Sequence, residues 1–152
     1  MRAAGYTLLE LLVTIAIVGI AAGMLSLSLR GDEARRLHQE ADRLAALFRM
    51  AQSEARVSGR AVLWQADLAG YGFRPLVADA SLPLPSELAR RRTWPVEVQT
   101  LQTRQLLFSR EPLREPALVQ IATHERGIRV SLDALGNASL AECEGPECAA
   151  SR

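Results

Sequence analysis

The sequence predicts an α+β fold, one long amino-terminal helix packed against a small antiparallel β head, and three observations predict it. No proline interrupts residues 6–57, so nothing breaks a helix there, and Ser58-Gly59 supplies a stop. Within that stretch Leu37, Ala41, Leu44, Phe48, Ala51 and Ala55 recur every three or four residues, the spacing of one apolar helix face. Beyond Arg60 the pattern changes to short alternating runs separated by turn residues, which is the signature of strands.

The helix divides into two parts. Leu11–Leu29 is a run of uncharged residues ended by Arg30, and it reads as a membrane-spanning first half. The second half, 31–58, is apolar on one side only, with Arg36, Glu40, Arg43, Gln52 and Arg56 lying mainly away from the stripe. Arg2 before the apolar run favours the inner face of a membrane, which places the rest of the chain beyond it as a single-pass protein. No small-x-small cleavage site precedes Arg30, so the segment is expected to be retained.

The β-rich part, 59–152, begins with AVLWQA at 61–66, a turn at 67–70, and YGFR at 71–74, which read together as a hairpin. Residues 96–101, 105–108, 118–123 and 127–132 are further strands, with turns at 124–127 and at Gly136-Asn137. Residues 75–95 are broken by Pro75, Pro83, Pro85 and Pro95 and read as a long irregular excursion.

Composition excludes several functions. A net charge of +1 over 152 residues gives no electrostatic case for a nucleic-acid partner. His38 and His124 have no nucleophile or metal-ligand companion in sequence, and no phosphate-cradling glycine motif or nucleophile elbow occurs. No enzyme activity, metal or cofactor is therefore expected. Cys143 and Cys148 enclose a short loop that a disulfide would close in an oxidising compartment; the competing metal site is short of ligands. Arg90, Arg91, Arg92 and Trp94 admit two readings. They either contact phosphates and stack on a base, or leave the arginines in water while the indole anchors the loop. The second reading is preferred.

One acid, Glu10, stands at the start of the apolar run, where a carboxylate is costly unless a partner or polar cavity receives it. If the chain is cut after Gly5, Tyr6 becomes a charged terminus with Glu10 four residues along the same helical face. An amine of one subunit meeting the acid of its neighbour would neutralise both.

GYTLLELLV, Gly5 to Val13, resembles the class III signal of type IV pilins and type II secretion pseudopilins, in which a short basic leader ends in glycine before an apolar helix. Two positions depart from that pattern: Tyr6 replaces the usual phenylalanine, and Leu27 a frequent proline. The resemblance implies that a prepilin peptidase removes residues 1–5, cutting between Gly5 and Tyr6 and methylating the Tyr6 amine, and that Glu10 serves subunit assembly. Residues 6–30 would then be the transmembrane and assembly helix. EADRLAALFRMAQSEARVSGRAVLWQ, 40–65, and GIRVSLDALGNASL, 127–140, are similar to the minor pseudopilin H group, which includes some minor type IV pilins.

A subunit of that kind sits near the tip of a short filament that drives protein export across the outer membrane. Its implied partners are other major and minor pseudopilins, the peptidase, an inner-membrane assembly platform, and membrane lipid before assembly. Its implied place is the bacterial inner membrane with the head in the periplasm. The alternative is a minor type IV pilin acting in pilus initiation or DNA uptake. The calcium loop of major pseudopilins is not expected: Asp133, Asn137, Glu142, Glu144 and Glu147 form no convincing ligand set.

Overall fold

The computed structural model describes residues 8–77, 83–111, 116–124, 126–133 and 136–144, with the side chains of 24–31 and 144 left aside. Helix α1 spans Leu8–Ser58. It ends where Gly59 takes a φ of +71°, a left-handed backbone that glycine adopts without strain, while its N–H still donates to the Ala55 carbonyl at 3.1 Å. The chain forms two compact units, Met1–Arg35 and Arg36–Arg152.

In the first unit the described aliphatic side chains are exposed, from Leu8 (81%) through Val13 (46%) to Ile20 (62%). The expected membrane-spanning half is corrected here. Among the described residues no helix is long and apolar enough to cross a membrane. The described side chains of this stretch also include the Glu10 carboxylate, which a hydrocarbon layer disfavours. The single-pass inner-membrane placement that depended on such a span is withdrawn with it.

The second unit is α+β. The strands are β1 (Val62–Ala66), β2 (Gly70–Pro75), β3 (Arg92–Thr93), β4 (Thr100–Leu101), β5 (Gln105–Phe108), β6 (Ala117–Ala122), β7 (Arg126–Leu132) and β8 (Ala138–Glu144). They make two antiparallel four-stranded sheets, ordered β3-β2-β1-β5 and β4-β6-β7-β8. A short helix, α2 (Ser86–Ala89), and β3 give regular structure to part of the proline-rich excursion. Only two residues of the run 96–101 pair as a strand, whereas β8 extends the second sheet after the Gly136-Asn137 turn.

The core forms where the helical stripe meets both sheets. Leu37, Ala41, Leu44, Phe48, Ala51 and Ala55 are all buried, together with Val62, Trp64, Tyr71, Phe73 and Phe108 of the first sheet and Val119, Ile121, Ile128, Val130 and Leu132 of the second. Alternate residues of β1 and β7 point inward, as a half-buried sheet requires.

Two polar residues assigned to the outer face of the helix are buried instead, and each has a partner. Glu40 accepts a 2.6 Å hydrogen bond from the Tyr71 hydroxyl and one of 2.9 Å from Arg43. Gln52 donates Nε2 to the Ser109 carbonyl at 2.9 Å. Helical periodicity locates a face but cannot show that a strand side chain reaches its border.

Burial, and then the hydrogen bond to Glu40, push the Tyr71 phenol well above its ordinary value of 10.0. Such a raised value contributes stability that is fully present below pH 10 and is lost as pH rises, because the unfolded tyrosine ionises while the folded one stays protonated. The loss should approach about 1.4 kcal/mol per pH unit above about pH 10. Urea denaturation at increasing pH should show that slope in the wild type and a flatter profile in Tyr71→Phe; equal slopes would remove Tyr71 as its source.

Candidate functional site

The candidate assembly site opens α1. Gly5 and Tyr6 lie outside the described residues, so the cleavage and methylation positions carry no geometry here. Glu10 lies in the first turn of α1 and is exposed. The exposed aliphatic side chains from Leu8 to Ile20 follow directly.

Of the second set of residues, Arg90, Arg91, Arg92 and Trp94, the β1–β2 turn holds Arg91 and Trp94. Asp67 organises this region: its Oδ1 accepts from the backbone N–H groups of Ala69 (2.9 Å) and Gly70 (2.8 Å), and its Oδ2 accepts from Arg91 at 2.7 Å. Those contacts, the Arg91 bond first, hold the Asp67 carboxyl below its ordinary value. Trp94 donates Nε1 to the Asp67 carbonyl at 2.8 Å, packs against Tyr71 at 4.7 Å between centroids with the rings tilted by 41°, and is 8% exposed. Arg92 pairs with Glu87 at 2.8 Å, and Arg90 is exposed. The indole therefore anchors the excursion, and its ring is not offered to a base.

Asp67 is the residue that sequence reading missed. It was visible as a turn former between two strands; its bond to Arg91, 24 positions away, was not.

His38 lies between two carboxylates, with Nδ1 3.3 Å from Glu142 and Nε2 3.6 Å from Asp42, and so links α1 to β8. Among the described residues no group of three or more His, Cys, Asp or Glu is placed to hold a metal ion. Asp133 and Asn137 instead bond each other across the turn before β8.

The expected Cys143–Cys148 bond falls partly outside the described residues: Cys143, near the end of β8, is not a free thiol, and Cys148 is not described. In the pairing of β8 with β7, Cys143 stands opposite Gly127.

Comparison with known proteins agrees with this architecture. Residues 1–26 match the prokaryotic N-terminal methylation motif, and residues 40–136, more than half of the chain, match the family model described as type II transport protein GspH. The crystal structure of the type IV minor pilin FimU of Pseudomonas aeruginosa is similar in fold, with a TM-score of 0.50 at 22% identity over 72% of this chain and 90% of that one. No curated protein sequence matches significantly. The chain thus belongs to the GspH family of the type IV pilin and pseudopilin superfamily, whose members are structural subunits and not catalysts.

Proposed function

We propose that the chain is a minor pseudopilin of type II secretion, a structural subunit near the tip of a short filament whose growth drives protein export across the outer membrane. The match of residues 40–136 to the family model described as type II transport protein GspH supports this reading. The observation that carries the assembly role is the amino-terminal helix: Glu10 in its first turn, followed by exposed aliphatic side chains through Ile20. An exposed apolar surface of that extent marks an interaction surface, and in a filament neighbouring helices cover it.

In this reading a prepilin peptidase removes residues 1–5, and the methylated Tyr6 amine of one subunit meets the Glu10 carboxylate of another. Charge pairing sets the axial position of the helices, and close packing of their aliphatic faces holds them. Other major and minor pseudopilins and an assembly platform are the partners.

Glu10→Ala should leave cleavage after Gly5 intact and lower incorporation into assembled material at least about tenfold, since breaking a buried charge pair costs about 3–5 kcal/mol and a tenfold change needs only about 1.4 kcal/mol. Quantitative immunoblotting of sheared filaments against total processed protein measures this. Wild-type incorporation of Glu10→Ala would defeat the proposed role of the acid.

A further inference from the structure

The face of the first sheet turned away from α1 carries a groove of about 170 Å³ lined by Gln65, Gly72, Phe73, Arg74, Ala89 and Arg91. Its floor is Gly72, opposite Gln65 in the β1–β2 pairing. A Cβ added there would meet Arg91 carbons at 3.7–3.8 Å, ordinary contact, so backbone sterics do not require glycine. What glycine provides at this position is depth.

Two guanidinium groups line the groove, and their partners leave it positively charged. Arg74 donates Nε to the neutral Gln65 side chain at 2.8 Å, and Arg91 is paired on one edge with Asp67 while its side chain remains 67% exposed. Among the described residues that line or pair with the groove, one carboxylate thus faces two cations. Beside Arg74 the sheet is apolar: Leu63 pairs with Arg74 on one side and with Leu107 on the other, and Leu107 is 44% exposed.

We infer that this groove docks an extended segment of a neighbouring filament subunit, one that presents an Asp or Glu and an aliphatic side chain on the same face. The acid sits over Gly72 between Arg74 and Arg91, where bidentate guanidinium–carboxylate bonding is available. The aliphatic side chain, about 7 Å along the segment from the acid, covers Leu63, one strand across and two residues along from Gly72, and borders Leu107 on the next strand. Nucleic acid fits less well. The apolar pair offers phosphate nothing, and the nearby aromatic rings of Trp94 and Tyr71 are buried and unable to stack on bases. The filament-subunit reading supplies only the identity of the partner; the chemistry of the groove stands apart from it.

The test uses the full chain in detergent and a fluorescently labelled peptide, Thr-Glu-Thr-Leu-Thr-Glu-Thr, followed by anisotropy. Saturable binding is expected at low salt with a Kd of about 1 mM or tighter, weakening as ionic strength rises to about 0.5 M. Arg74→Gln, Arg91→Gln and Gly72→Val should each weaken it at least about fivefold and Leu107→Ser at least about twofold, while Arg126→Gln on the other sheet leaves it unchanged. The peptide with both glutamates replaced by glutamine should not bind, which separates docking from partition into micelles.

Three results would overturn the inference: no saturable binding up to about 10 mM, binding indifferent to the groove substitutions, or tighter groove-dependent binding of a single-stranded oligonucleotide. Failure here leaves the incorporation defect of Glu10→Ala untouched, so the two proposals fail separately.

Discussion

Phe48→Ala should destabilise the second unit by about 3–5 kcal/mol, a large share of the about 5–15 kcal/mol that holds a domain of this size together. Phe48 is fully buried on α1, and its ring meets Trp64 edge-on at 5.2 Å between centroids, Phe108 at 5.5 Å and Phe73 at 6.2 Å. These three partners come from β1, β5 and β2, so one side chain ties the helix to three strands of the first sheet. Truncation removes the burial and leaves a cavity that rigid strands cannot readily fill. Chemical denaturation of the full chain should show the midpoint falling with little change in slope. A loss under about 1 kcal/mol would mean that the helix and sheet can close the gap, contrary to the packing described.

Gly70→Ala should cost about 2–4 kcal/mol by a different route, overpacking at a strand crossing. A Cβ at Gly70 would lie 2.1 Å from the Arg92 carbonyl oxygen and 3.0 Å from the Arg92 carbonyl carbon and the Thr93 Cα, all backbone atoms that no rotamer change can move. Strand β3 must shift away, and β3 is what brings the excursion onto the sheet: Gly70 pairs with Thr93, and Trp94 donates its backbone N–H to Ala69. The variant should therefore unseat Trp94 and shift its fluorescence to the red. The Asp67 contacts should loosen with it. Unchanged emission with a midpoint within about 2 °C of wild type would show that β3 does not depend on this close approach.

The helix, its stripe and its stop were legible because each rests on local chemistry: proline absent, apolar residues at helical spacing, a glycine where the backbone turns left-handed. Strands β1, β2, β5, β6 and β7 were legible for the same reason, through alternation between turn residues. What failed was whatever depends on residues far apart in sequence. Glu40 looked like an outer-face charge because the Tyr71 hydroxyl that donates to it arrives 31 positions later. Strand β3 was hidden because two residues carry no period, and the proline content around it argued for irregular chain.

The membrane span was misread from continuous apolarity, which an assembly surface and a lipid-facing helix share. Among the described residues the length and composition of the helix do not support a crossing. Of the site residues, Glu10 was singled out by its setting, and the Arg90–Arg92 run by its composition. The roles of Asp67 and Arg74 depend on pairing between strands and appear only in three dimensions.

The central claim is that this chain works as a processed, assembled filament subunit, and the amino-terminal mass of the protein in native sheared filaments tests it most directly. The account predicts a single form that begins at Tyr6 with one added methyl group on its amine. Filaments that contain the chain with Met1 through Gly5 still attached would contradict it.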